Sequence, residues 1–220
     1  DYLSSPINYE FLTAGVNLLK AFSVNGGKRA VFAGTCFEYQ FQTTPLKETD
    51  TLEPKKTTYS FCKDTLHNIA DYYCKQNNIS FAYGRIFYVY GRNENKLRLT
   101  GMLVDKLSNN QEIIIKSGSL LKDYMYTKDI ANSFVALLDS NVLGSVNICT
   151  GKAISIKDFA LSFARKVGKE HLICFRDEVS NQPNIIVGDN TRLIQEVGYK
   201  IQYNFDNAIQ EILNSDYVHK

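Results

Sequence analysis

The chain has 220 residues, 44% apolar and 22% charged, a composition suited to one α/β domain or a domain with a smaller lobe. Its 25 Lys and Arg nearly balance 23 Asp and Glu, with both signs interspersed, so no basic surface for nucleic acid is expected. Five cysteines without a Cys-x-x-Cys spacing and three scattered histidines suggest neither a disulfide framework nor a metal site, and the absence of a long apolar run or signal peptide makes a cytoplasmic protein without membrane contact the expectation.

In chain order, Phe11, Val16, Leu18, Leu19 and Phe22 recur at helical spacing and predict a helix from Ile7 to Phe22, ended by Gly26 and Gly27. Arg29 to Ala33 is a short apolar run, as in a strand covered on both faces. A polar loop containing Pro45 and Pro54 follows, then a helix from Tyr59 to Gln76. Ile79 to Tyr90 is an aromatic-rich strand, Leu97 to Leu107 a helix and Glu112 to Lys116 a strand. Tyr124 to Tyr126 is a short extended piece before a helix from Thr127 to Leu138, and Ser145 to Cys149 returns as a strand. Ser155 with Asp158 resembles a capping box opening a helix that ends at Gly168. Two short helices close the chain, near Asn190 to Glu196 and Phe205 to Leu213. Alternating strands and helices predict a mostly parallel sheet with helices on both faces.

The informative local pattern is Tyr59-Ser-Phe-Cys-Lys63 at the start of a helix. Residues four apart share a helix face, and a neighbouring ammonium favours the phenolate, so the pair suits proton transfer. Alone, the pattern is also that of a packed Tyr beside a solvated Lys, a frequent coincidence in a chain with 14 tyrosines. Upstream, Val31-Phe-Ala-Gly-Thr-Cys-Phe-Glu-Tyr39 leaves a strand for a loop. Ligands of open α/β sheets bind at the carboxyl ends of strands, which places the Thr35 hydroxyl at a crevice. By itself Thr35 reads better as a turn cap.

Together these segments resemble the extended short-chain dehydrogenase/reductases, the nucleotide-sugar-modifying NAD-dependent epimerase/dehydratase family. There a strand ends in a Ser or Thr four residues before a Tyr, as Thr35 stands before Tyr39, although Gln40 replaces the usual Gly. A Tyr-x-x-x-Lys helix follows, matched by Tyr59 and Lys63. Arg85-Ile-Phe-Tyr-Val-Tyr-Gly-Arg92 stands for Arg-x-x-Asn-x-Tyr-Gly-Pro, and Lys122-Asp-Tyr-Met-Tyr-Thr-Lys-Asp129 for an Arg-Asp-aromatic stretch before an Asp-led helix. Asn147 and Gly151 match a final strand and turn. The resemblance implies a Rossmann-like doubly wound parallel sheet with a smaller C-terminal α/β lobe for substrate. Residues 1–91 would belong to the cofactor domain and 92–220 mainly to the lobe, with segments near 122–150 returning to the cofactor domain.

It also implies roles. Tyr59 is the acid/base, Lys63 binds the nicotinamide ribose and lowers the Tyr59 pKa, and Phe87 lies with them at an NAD or NADP cofactor. Thr35 holds the reacting sugar oxygen, and Cys36, Phe37, Tyr88 and Lys122 join it in contacting a nucleotide-sugar substrate, Lys122 standing where an Arg often meets phosphate. Cys36 and Phe37 replace the Asp-Glu pair of the dehydratases, which disfavours dehydration. Phe37 also stands where GDP-fucose-synthase-like enzymes carry a Cys. Net reduction of a keto-sugar nucleotide and C4 epimerisation remain, with reduction slightly favoured. The family's opening Gly-x-x-Gly-x-x-Gly turn does not occur, so roughly 70 to 100 residues of a domain-sized unit are expected before Asp1. That expectation keeps a second reading open, a non-catalytic relative binding a nucleotide or a protein. The family further implies a homodimer formed through the stretches Ile7 to Phe22 and Thr58 to Gln76, with Phe11, Leu66, Tyr72 and Tyr73 available to the interface.

Overall fold

The computed structural model describes residues 2–176 and 183–217. Helix α1 (Ile7–Val24) leads into strand β1 (Arg29–Thr35), and α2 (Thr58–Gln76) into β2 (Ser80–Ile86). Strand β3 (Tyr88–Tyr90) precedes α3 (Leu99–Ser108), β4 (Ile113–Ile115), β5 (Leu121–Lys122) and β6 (Tyr124–Tyr126). Helix α4 (Thr127–Asp139) and β7 (Gly144–Ile148) return the chain to the first sheet, where β1, β2 and β7 lie side by side in parallel. The remainder comprises β8 (Ile154–Ser155), α5 (Ile156–Lys166), β9 (Ile173–Phe175), β10 (Ile185–Ile186) and α6 (Phe205–Asp216).

Side-chain alternation on β2 explains why this sheet is covered twice. Phe81 and Tyr83 point to the face packed by Leu19 of α1 and Ala70 and Cys74 of α2. Ala82 points the other way, toward Leu137 of α4 and Val146 and Ile148 of β7. Gly84 leaves the room that Phe134 fills, since a methyl there would come within 2.6 Å of the Phe134 ring. The result is a Rossmann-like, doubly wound α/β arrangement. A separate core gathers Leu103 and Leu107 of α3, Ile113 of β4, Phe159 and Phe163 of α5 and Ile209 and Ile212 of α6.

One expected strand is two. Phe87 still donates its amide to Ile148 of β7 at 3.2 Å, but Tyr88 donates to Asp123 at 3.0 Å. The chain therefore leaves the first sheet within one residue, and β3 pairs with β6 instead. The stretch Asn190 to Glu196 forms a π-helical turn at Arg192–Glu196 rather than a short α-helix. Strands β9 and β10 escaped the periodicity because two or three residues carry no readable alternation; β4 pairs with β9, and β5 with β8 and β10. Ser155 caps α5 through an Asp158 amide bond of 2.9 Å, while the Asp158 carboxylate accepts from the Ser155 hydroxyl at 2.6 Å. The shorter acid thus meets the hydroxyl.

Candidate active site

The carboxyl end of β1 and the amino end of α2 meet because each is fixed locally. Thr35, buried and extended, closes β1 and caps a tight turn over Cys36–Glu38, its hydroxyl accepting from the Phe37 amide at 3.3 Å. Thr57 opens α2 through a reciprocal box with Ser60, with bonds of 3.1 and 3.3 Å. That start puts Tyr59 in the first turn of the helix, where its amide donates to the Leu3 carbonyl at 2.9 Å and its ring meets the Tyr2 ring edge-on, 5.4 Å between centroids. One turn later Lys63 reaches back to the strand, its ammonium donating to the Ala33 carbonyl at 2.8 Å.

These side chains share one cavity of about 580 Å³. Gly34, Thr35, Phe37, Tyr59, Lys63, Phe87 and Tyr88 contribute to its wall, together with Glu94, Arg98 and Tyr124 from further along the chain. Thr35 and Tyr59 interact through their hydroxyls, which draws the phenol pKa down, but burial outweighs this and pushes it up to about 12. The Lys63 ammonium lies 5.9 Å from the Tyr59 ring centroid, is engaged by Ala33, and has its own pKa lowered by burial against the pull of Glu38. Burial is therefore the largest influence on the Tyr59 phenol in this arrangement and holds its pKa above the ordinary value.

Two of the expected substrate contacts lie behind the wall. Cys36 is buried, and burial pushes its thiol pKa well above the usual range, with the Asp123 and Glu38 charges adding to the effect. Lys122 is 0% exposed, donates to the Pro183 carbonyl at 3.1 Å, and has its ammonium 5.4 Å from the Tyr88 ring centroid. Burial lowers its pKa to about 8. In this structure it is neither a surface lysine nor placed to meet a phosphate; the aromatic side chain in the position of the family's Asn packs against it.

Beneath the site lies a buried polar network that the sequence reading did not assign. Glu38 is 0% exposed and Arg85 2%. The Arg85 Nε donates to Glu38 Oε2 at 2.8 Å, and Nη1 to the Tyr39 hydroxyl at 3.2 Å. Tyr39 donates in turn to Asn147 at 2.7 Å, and the Asn147 amide group donates to the carbonyls of Leu46 and Asp189. Asp123 gathers the Thr150 hydroxyl and the amides of Thr150, Gly151 and Gly188, which satisfies its buried carboxylate. A charge inside a run that reads as a buried strand was the available signal for Arg85, whereas Glu38 follows the other run in a stretch that reads as a loop. Ligand atoms of Glu38, Asp64 and His67 lie within 4.8 Å of one another. The Glu38 oxygens are already engaged, and the adjacent guanidinium opposes a cation there.

A parallel sheet with a Thr, a Tyr and a Lys converging on a cavity at its strand ends is the arrangement of short-chain dehydrogenase/reductase-like proteins. Residues 6–149 match the NAD dependent epimerase/dehydratase family, and the chain belongs to that family. It is 28% identical over 214 residues to the dTDP-4-dehydro-6-deoxyglucose reductase of Escherichia coli, an alignment covering 94% of this chain and 67% of that protein. The chain spans between about a third and two thirds of the length of the curated relatives it matches. Among solved structures, it superposes with a TM-score of 0.84 on the UDP-N-acetylglucosamine 4-epimerase from Methanobrevibacter ruminantium in complex with UDP-N-acetylmuramic acid, at 18% identity, covering 92% of this chain and 67% of that one. The RMD protein of Pseudomonas aeruginosa complexed with NADPH gives 0.84 at 16% identity, covering 91% and 70%. These structural likenesses establish the fold.

Proposed function

We propose that the protein is an NAD(P)-dependent nucleotide-sugar oxidoreductase that reduces a keto-sugar nucleotide, in preference to epimerising it at C4. The observation that carries this reading is the convergence of Thr35, Tyr59 and Lys63 on one cavity. The residues fit a nicotinamide dinucleotide at this place: Lys63 uses one of its three donors on Ala33, leaving two for ribose hydroxyls, and Phe87 supplies an apolar wall. When bound, that cofactor supplies the hydride. The chain's own residues handle the proton. Thr35 orients the sugar oxygen, Tyr59 delivers its phenolic proton to that oxygen as the carbonyl becomes a hydroxyl, and the Lys63 ammonium favours the phenolate left behind.

One feature supports reduction over the alternatives. The similarity to the Escherichia coli reductase extends over 94% of the chain. The division of labour we propose gives residues 1–91 to cofactor and acid/base chemistry and 92–220 mainly to the sugar nucleotide, with the segments near 122–150 completing the first sheet. A homodimer through α1 and α2 is part of the proposal, supported by Phe11 and Tyr72, 64% and 68% exposed on those helices. So is a cytoplasmic location, in keeping with five unpaired cysteines.

The test is to mix the intact protein with keto-sugar nucleotides and NADH or NADPH and follow nicotinamide absorbance. Net consumption of reduced cofactor supports the reductase; product without consumption identifies an epimerase. Tyr59→Phe should lower turnover by about 10²–10⁴-fold while the fold is kept. Full activity in that variant would refute the assignment.

A further inference from the structure

The Glu38 carboxylate touches neither the cavity nor solvent, yet Thr35 and the turn of α2 that carries Lys63 are tied to it through one and two hydrogen bonds. Its Oε1 accepts from the Thr35 amide at 2.8 Å. The same oxygen accepts from the Tyr83 hydroxyl at 3.0 Å, whose single proton is shared with the backbone carbonyl of Lys63 at 2.9 Å. Its Oε2 is held by Arg85 at 2.8 Å. Gly34 lets this cluster close up, because a methyl at that position would fall 2.1 Å from the Tyr83 ring and 2.8 Å from Glu38.

We propose that Glu38 is a positioning residue for the reaction: through the Thr35 amide and the Tyr83 hydroxyl, its carboxylate fixes the strand end carrying Thr35 against the helical turn carrying Tyr59 and Lys63. The inference rests on the reading that those three residues act on the substrate. An ionic anchor suits the task. A neutral link between a strand end and a helix turn breaks at little cost, whereas displacing a carboxylate held by a buried guanidinium leaves two charges unsatisfied. The same charge acts on the chemistry at a distance. It opposes ionisation of Tyr59 and favours the protonated form of Lys63. The titratable groups facing it are Tyr83 and Arg85 from β2, Lys63, Asp64 and His67 from α2, and Cys36, Tyr39 and Tyr59 around the turn.

The test uses two variants of the intact enzyme. Tyr83→Phe removes only the bridging hydroxyl and keeps the ring stacked on His67, 4.1 Å between centroids. It should melt as a folded protein, with kcat lower by about tenfold or more and KM within about twofold, because orientation and not binding is lost. The double variant Glu38→Gln with Arg85→Met keeps an acceptor for the Thr35 amide but removes both charges. In it the limb of the kcat pH profile that reports Tyr59 should move to lower pH, which a purely structural role would not produce. A folded Tyr83→Phe with unchanged kcat, or a folded double variant with an unmoved pH profile, overturns the proposal. The two levels separate cleanly. Activity surviving in Tyr59→Phe defeats the functional reading itself, whereas an inactive Tyr59→Phe beside fully active Tyr83→Phe defeats the positioning role alone.

Discussion

Replacing Arg85 by Met removes the guanidinium while keeping most of its volume in the sheet. Arg85 is 2% exposed and holds Glu38, the Tyr39 hydroxyl and, at 4.9 Å, the face of the Tyr39 ring. Glu38 keeps its bonds from Thr35 and Tyr83 but loses its ion pair with Arg85. Removing one partner of a buried pair costs about 3–5 kcal/mol. For a chain of this length that corresponds to a fall in melting temperature of about 6–20 °C. The chain has no tryptophan, so urea unfolding is best followed by far-ultraviolet circular dichroism. The pH dependence gives a sharper check. Burial raises the Glu38 pKa and Arg85 is the main influence opposing it, so the variant's folded-state value rises further. A carboxyl whose folded pKa lies above its unfolded value contributes stability that is present below the unfolded pKa and lost as pH rises through the folded one. The deficit of Arg85→Met should therefore be largest at pH 7 and shrink on acidification toward pH 5. A loss below about 1 kcal/mol, or one that grows with acid, would refute the view that this carboxylate depends on its guanidinium.

Three further outcomes follow from the packing. Lys122→Met should stabilise the protein at pH 7 by about 1–3 kcal/mol. The Lys122 folded pKa of about 8 lies below the ordinary lysine value of 10.5, so the wild type gains stability as pH rises from 8 to 10.5 and the variant's advantage should vanish over that range in paired denaturation curves. Gly34→Ala should cost about 1–3 kcal/mol and impair the Thr35 turn, read by thermal melting together with turnover, because the added methyl meets Tyr83 and Glu38. Ser155→Ala removes the cap of α5 and should cost about 1 kcal/mol with kcat unchanged.

The elements that were legible in the sequence are those long enough to repeat a pattern. Helices α1, α2, α4 and α5 each span two or more turns of apolar spacing, and β1 and β2 read as covered strands. The three residues now placed on one cavity were found from spacing and resemblance together. Cys36 lies off the cavity because adjacency in the chain is not adjacency in space, and Lys122, which the resemblance sets where an Arg often meets phosphate, is buried. Cys36 follows Thr35, but the backbone enters a tight turn there and sends the thiol into a cluster with Tyr39, Phe87, Cys149 and Ile186. Glu38 was overlooked because a lone acid after an apolar run reads as the first residue of a loop. Its partner lies 47 residues away, on a strand whose parallel register is set only by folding.

The transfer at Phe87 and Tyr88 has a mechanical consequence. Consecutive residues hang on two different ladders, one through Ile148 and the other through Asp123, with no intervening linker to absorb slack. Both side chains also form part of the cavity lining. Any shift of one sheet against the other would therefore act directly on the two residues that line the cleft.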